Sequence, residues 1–350
     1  VLFATTAIVA FAGAAAADIA ISGSAEMGIA GGDQYGLFND ESAIEPNNDS
    51  TRFHSAYTLA FTMSGETDNG LSFGATVRYD MDGNPDQENQ NPAMDNGTVF
   101  LSGAFGTVTL GDTDGALDWA LTEVAMGGSI NDAHTVHAGY NGNGGLDGSY
   151  DDQVLRYDYA MGDFGFAVSL EQANQGQSGT TNDDNVAFGA RYSAAYGTGT
   201  VSLALGIQRG DIFLDDDEPA DTTAYTAVRD ANGSEFFGAD IVGLSAGYAF
   251  GAFDVRMSMM QWDIDTTARD GVTTTAIDDV SHIGLGVSYT VNALTLAANY
   301  GEYDVDLVGG GSVEESGYGV VANYALGGGA DVQFGYSSSD RAVGSVDSDI

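Results

Sequence analysis

Strict alternation of side-chain type, repeated along most of the chain, constrains this sequence more than any other feature. Over Arg52–Met63 the odd positions are Phe53, Ser55, Tyr57, Leu59, Phe61 and Met63. The even ones are Arg52, His54, Ala56, Thr58, Ala60 and Thr62. Over Leu71–Asp80 the set Leu71, Phe73, Ala75, Val77 and Tyr79 alternates with Ser72, Gly74, Thr76, Arg78 and Asp80. The pattern returns at Phe164–Glu171, Val186–Ser193, Val201–Gln208, Phe253–Met259, Ile283–Tyr289, Leu294–Tyr300, Tyr318–Tyr324 and Val332–Tyr336. A period of two belongs to a β-strand with one apolar and one polar face. The polar face of a soluble sandwich would be rich in charge. Here it is mostly Gly, Ala, Ser, Thr and Asn with an occasional Arg. That suits the crowded inside of a curved wall whose apolar face meets lipid, with Tyr and Phe recurring at strand ends as a girdle.

The connections alternate in length. Short ones fall at Gly65–Gly70, Gly103–Gly106, Met161–Asp163, Ala194–Gly199, Phe250–Ala252, Thr290–Ala293 and Ala325–Gly329. Long acidic ones fall at Gly31–Thr51, Met81–Asn96, Asp112–Asp152, Gln172–Asn185, Gly210–Glu235, Asp263–Asp279 and Gly301–Ser316. Short turns opposite long loops are the outer-membrane pattern. Counting from Ile19–Gly28 gives about fifteen strands, and bacterial single-chain barrels have even numbers. The expectation is therefore an all-β, transmembrane antiparallel β-barrel of sixteen strands, with the last strand missing from a sequence that stops at Asp347-Ser348-Asp349-Ile350. The rings of Tyr57, Phe61, Phe73, Tyr79, Tyr192, Tyr289 and Tyr300 should face outward.

The N-terminus supplies an address. Residues 1–17 read as a partial secretory signal peptide: a short apolar run, Leu2–Phe11, followed by Ala15-Ala16-Ala17 as a cleavage site. The barrel would then occupy 18–350. No later run reaches the apolar length of a transmembrane helix, so a membrane role requires a closed barrel. Acids outnumber bases by 51 to 9, the net charge is −42, and every base is Arg. So little positive charge argues against nucleic acid as a partner. The absence of Cys excludes a disulfide scaffold and thiolate metal sites. His134 and His137 have no further His or Cys nearby to complete a metal site. No Walker, dinucleotide or nucleophile-elbow pattern occurs, so an enzyme is not expected.

Two stretches carry a family resemblance. FTMSGETDNGLSFGA at Phe61–Ala75 and GTVFLSGAFGTVTLGD at Gly97–Asp112 resemble the general porins of purple photosynthetic bacteria and their alphaproteobacterial relatives. Weaker similarity appears in DDVSHIGLGVSY at Asp278–Tyr289 and GGGAD at Gly327–Asp331. The resemblance implies a sixteen-stranded homotrimer in the cell outer membrane, with an open pore for small polar solutes and ions. It also implies a long third loop folded inside as the constriction, and calcium at acidic loop sites.

By position, residues 112–152 match that loop, which places Asp118, Glu123 and Asp132 near the eyelet. Arg52, Arg78, Arg156, Arg191 and Arg256 fall on the polar parity of their strands, and His54 shares the face of Arg52. A charge turned into lipid costs roughly 2–4 kcal/mol at the midplane, so these side chains should line the pore. Facing the loop acids, they would set up a transverse field. The run Asp215, Asp216, Asp217 and Glu218 is a candidate Ca²⁺ site, since that cation takes several oxygens, although the spacing is not that of an EF-hand. No cofactor is required by this reading. The expected function is passive diffusion biased toward cations. The alternatives are a solute-specific channel on the same fold and, from another class, a secreted calcium-binding β-protein or adhesin, whose fixed-period repeats are not found.

Overall fold

Each alternating stretch forms a strand. The computed structural model describes residues 2–4, 18–31, 52–83, 93–126, 137–150, 153–173, 183–214, 235–268, 277–340 and 348–349. After a short piece, β1 (Leu2–Ala4), come β2 (Asp18–Ala30), β3 (Arg52–Glu66), β4 (Ser72–Gly83), β5 (Ala93–Gly103) and β6 (Gly106–Gly111). One short helix among the described residues, α1 (Ala116–Ala120), precedes β7 (Val154–Met161), β8 (Phe164–Glu171), β9 (Asn185–Tyr196) and β10 (Gly199–Leu214). Then follow β11 (Glu235–Phe250), β12 (Phe253–Ile264), β13 (Ile277–Val291), β14 (Leu294–Leu307), β15 (Ser312–Gly327), β16 (Ala330–Asp340) and a short β17 (Ser348–Asp349).

From β2 to β16 every strand pairs antiparallel with the next in sequence. This is the all-β membrane-barrel topology, with fifteen strands in the continuous meander. β1 and β17 each pair with a different part of the free edge of β16. The expected sixteenth position is the gap between β16 and β2. β1 also packs beside β2, so the two ends of the sheet approach one another. The short turns include two-residue connections led by Gly162 and Gly251, at φ 62° and 59°. Those left-handed conformations suit residues without a Cβ and match the twist of a tight hairpin.

Period two fixes which side chains meet lipid. Directly opposed residues of a ladder share a face, and the row Phe61, Val77 and Ile21 lies outside with Tyr57, Phe73, Tyr79 and Tyr300. Tyr192 and Tyr289 also face out. At the short-turn end the rings join into a belt. Phe164 lies 4.8 Å from Tyr192, Tyr248 lies 5.0 Å from Phe250, and Phe253 lies 4.7 Å from Tyr289 between ring centres. Amphipathic rings at one level are what a membrane interface selects.

The other end departs from the sequence reading. The segment 301–316 was expected to be a long loop, yet β14 runs to Leu307 and β15 begins at Ser312, leaving a turn of four residues. Strands β10–β13 also run into segments read as loops. There the polarity of the alternation inverts. Ile241, Trp262, Val280 and Val305 are paired in one inward row and are buried. The adjacent outward row carries Arg209, Asp240, Asp263, Asp279 and Asp306. Beyond the lipid band the outside is wet, and the inside is covered by the chain itself. The core therefore sits inside the wall, where Leu117, Leu121 and Leu146 pack with Ile241, Trp262 and Val280.

Candidate pore constriction

The segment between β6 and β7 lies on the inner face of the wall. Its described parts are residues 112–126, which include α1, and 137–150. A lane of glycines makes room for it. A Cβ on Gly206 would stand 3.0 Å from Leu117 Cγ, one on Gly243 2.5 Å from Leu121 Cδ1, and one on Gly284 2.9 Å from Val124 Cγ2. A Cβ on Gly189 would strike the carbonyl oxygen of Ala116, and one on Gly286 that of Val124. Gly301 meets the backbone of Gly139, and Gly317 meets the ring of His137. These glycines lie on every strand from β9 to β15 except β12. Curvature of the wall alone, as inferred from the sequence, does not account for them; the loop lies directly against them.

A loop inside a barrel must find partners for its backbone away from bulk water. The wall supplies them. Ala116 N donates to Ser169 Oγ at 2.8 Å, Thr122 N to Ser245 Oγ at 2.9 Å, and Ala138 N to Ser339 Oγ at 2.9 Å. Leu146 N donates to Gln208 Oε1 at 2.8 Å, and Asn185 Nδ2 donates to the carbonyl of Leu146 at 2.9 Å. The two arms are tied together as well. Tyr140 donates its hydroxyl to Glu123 Oε2 at 2.7 Å, and Gly115 N donates to Asp147 Oδ2 at 2.6 Å.

Three wall arginines reach the same loop. Arg156 Nη1 donates to the carbonyl of Asp114 at 2.5 Å and to Thr113 Oγ1 at 3.3 Å. Its Nε also lies 3.5 Å from Asp158. Arg191 Nη1 donates to the carbonyl of Trp119 at 3.1 Å. Arg256 Nη1 donates to the carbonyl of Glu123 at 3.3 Å, while its Nε and Nη2 bind Asp254 Oδ2 at 3.0 and 2.8 Å. These guanidiniums therefore lie on the loop's own side of the lumen. Arg78 stands on the inner face of β4 and is exposed. The side chains of Arg52 and His54 on β3 lie outside the described residues, as do Asp132 and the run Asp215, Asp216, Asp217 and Glu218.

The acids of the loop come together. Asp118 on α1 is half-buried beside Asp114, Asp147 and Glu123; burial first, then repulsion by these carboxylates, pushes it up to about 8 against the pull of Arg156. Burial likewise raises Asp147 to about 6, opposed by the donors Gly115 N and Gln208 Nε2. The serines, Gln208 and the glycine lane were not singled out from the sequence. Their signal was present in the small residues repeating at inward parity on β8–β16. No group of three or more His, Cys, Asp or Glu placed to hold a metal ion occurs among the described residues.

Every loop contact described here, apart from the root at Asp112, falls on β7–β16. A loop seated on one side of a wide β-wall is porin geometry, since barrels of this strand number keep an aqueous channel. The family model of the Gram-negative porin matches residues 4–342. The porin of Rhodobacter capsulatus is 31% identical over 309 residues, covering 84% of this chain and 90% of that protein. Among solved structures, a porin refined at 1.8 Å resolution superposes with a TM-score of 0.62 at 24% identity, covering 95% of this chain and 97% of the other. A triple mutant of Rhodopseudomonas blastica porin gives 0.58 at 20% identity with the same coverage. Porins are passive, water-filled channels of the outer membrane and carry out no catalysis. The chain belongs to the Gram-negative porin family.

Proposed function

We propose that this outer-membrane channel favours cations, and that its conducting path runs between the inserted loop and the β2–β5 wall. The supporting observation is the placement of Arg156, Arg191 and Arg256, each of which donates to a loop carbonyl on the loop's own side. Their charge is spread into that contact and into Asp158 and Asp254. The loop acids Asp114 and Glu123 then meet Arg78 across the path rather than a continuous basic wall. A chain of net charge −42 adds a negative potential at the mouth, which concentrates cations. Full-length protein in planar bilayers under a KCl gradient tests the reading. A reversal potential favouring K⁺ is expected; anion preference in dilute salt would overturn it.

Assembly as a homotrimer is part of the same reading. The outward faces of β2 and β3 carry Ile19, Met27, Ile29 and Phe53, all highly exposed in the single chain, and are the candidate contacts. Native mass spectrometry in mild detergent should give three copies, and monomers alone would remove the claim. Calcium at Asp215, Asp216, Asp217 and Glu218 rests on the family resemblance and is tested by Ca²⁺ titration of the chain with and without those four acids.

A further inference from the structure

The return arm of the loop is held by two histidines that the eyelet does not use. His137 lies in the arm and His282 stands on the inner face of β13; they are 2% and 3% exposed. His282 Nε2 lies 3.0 Å from the carbonyl oxygen of Gly139. A carbonyl can only accept, so this nitrogen carries the ring's proton. His137 Nε2 lies 3.1 Å from Asn299 Oδ1 and donates to it. In both rings the remaining nitrogen, Nδ1, is buried with no hydrogen-bond partner. Each imidazole is therefore neutral. A second proton would place a charged N–H where nothing accepts it.

The surroundings leave little room to rearrange. A Cβ on Gly317 would come 2.7 Å from His137 Nδ1, and the backbones of Gly139 and Gly301 interlock. Tyr303 donates its hydroxyl to the carbonyl of Tyr140 at 3.1 Å, and its ring centre is 4.5 Å from that of His282. The titratable groups that face the pair are Tyr303 on β14, Glu315 on β15, and Tyr140 and Glu123 in the loop. β12 presents Met260 and Ser258, and β16 presents Ser337 and Ser339. Glu315 is buried opposite Tyr303. Burial dominates and takes His137 from its ordinary 6.5 down to about 4.

We propose that His137 and His282 are positioning residues that set the bore: an acid-released latch holding the return arm on β13–β16. Charging the pair puts two cations into a site built for two neutral donors, and the arm lifts into the lumen. The sign follows from the lowered value of His137. The latch contributes fully above 6.5 and is lost as pH falls through about 4. The proposal rests on the porin reading for its electrical signal only.

Full-length protein in planar bilayers, stepped from pH 7 to pH 3, should lose its full-open conductance level in acid. The double variant His137→Gln, His282→Gln keeps a side-chain N–H donor at each position but cannot take a proton; its open level should persist. Each single Gln variant should shift the step to lower pH, which keeps the claim testable if the double variant fails to insert. His282→Ala should show the reduced level at pH 7 already. In an Asp118→Asn background the step should remain, which separates it from titration of the loop acids. Hydrogen exchange across 137–150 should accelerate in acid beyond its intrinsic rate in the wild type and not in the double variant. An acid step and exchange pattern unchanged by the Gln substitutions would overturn the latch. Failure to conduct at any pH would instead refute the porin reading, and the exchange comparison would still decide the latch.

Discussion

The guanidinium of Arg191 lies over the ring of Trp119, its central carbon 3.7 Å from the ring centre, while one of its nitrogens donates to the carbonyl of the same tryptophan at 3.1 Å. One side chain of the wall thus grips both the ring and the backbone of the loop helix. A cation over an aromatic face contributes about 0.5–2 kcal/mol depending on desolvation. Lys keeps the charge but has neither the planar stack nor the fork. Arg191→Lys should therefore behave like Arg191→Gln, with a noisier open channel and an altered conductance. A lysine variant indistinguishable from wild type would show that only charge matters at this position.

Arg78 should respond differently. It is exposed on the inner face of β4, on the wall that the described loop contacts leave uncovered. Arg78→Gln should increase the preference for K⁺ over Cl⁻, and Arg78→Lys should leave it near the wild-type value. The difference should be large in dilute salt, where the Debye length is about 30 Å at 0.01 M, and small near 1 M, where it is about 3 Å. Equal selectivity of the glutamine variant and wild type at low salt would remove Arg78 from the path.

The glycine lane separates tolerated from untolerated insertions by what the new methyl would meet. On Gly189 and Gly301 it would strike backbone oxygens of the loop, which cannot turn aside; on Gly243 it would meet the tip of Leu121, which can. Overpacking of this kind costs about 1–3 kcal/mol. Gly189→Ala and Gly301→Ala should unseat the loop and expose it to proteinase K in detergent, whereas Gly243→Ala should resist cleavage as wild type does. Equal resistance in all three variants would show that the loop does not rest on this lane.

Much of the wall was legible because a strand's period is local. Phe164–Glu171 reads as a strand from its own residues and forms β8 with those bounds. What was not legible is where one chain segment lies over another. The glycines at 189, 206, 243, 284 and 301 are ordinary inward residues until the loop is placed on them. Arg156, Arg191 and Arg256 have inward parity in the sequence, but parity gives the face and not the partner. The upper strands were misread for the same reason. Val280 and Val305 are inward and apolar only because the loop covers them, so their alternation is opposite in sense to that of Leu285 and Val287 below.

Asp118 makes the cation preference depend on pH in a range where an ordinary carboxylate, with its value of 3.8, would already be fully charged. Its value rises from 3.8 to about 8, through burial and then repulsion from Asp114, Asp147 and Glu123. Near pH 7 the carboxyl is mostly neutral and adds little to the field of the path. Folded chain holds this proton more tightly than unfolded chain does. The stabilisation it gives is thus complete below 3.8 and is lost as pH rises through about 8. Two effects should follow on going from pH 6.5 to pH 9.5. Preference for K⁺ should increase as the new charge appears, and the loop should become more susceptible to protease as that charge strains its seat beside the other carboxylates. Asp118→Asn should abolish both changes while leaving selectivity at pH 6.5 close to wild type. Glu123, whose carboxylate takes the Tyr140 hydroxyl at 2.7 Å, serves as the comparison: Glu123→Gln should lower the preference at both pH values. A flat pH profile in the wild type, or the same rise in the Asp118→Asn variant, would place the titrating charge elsewhere.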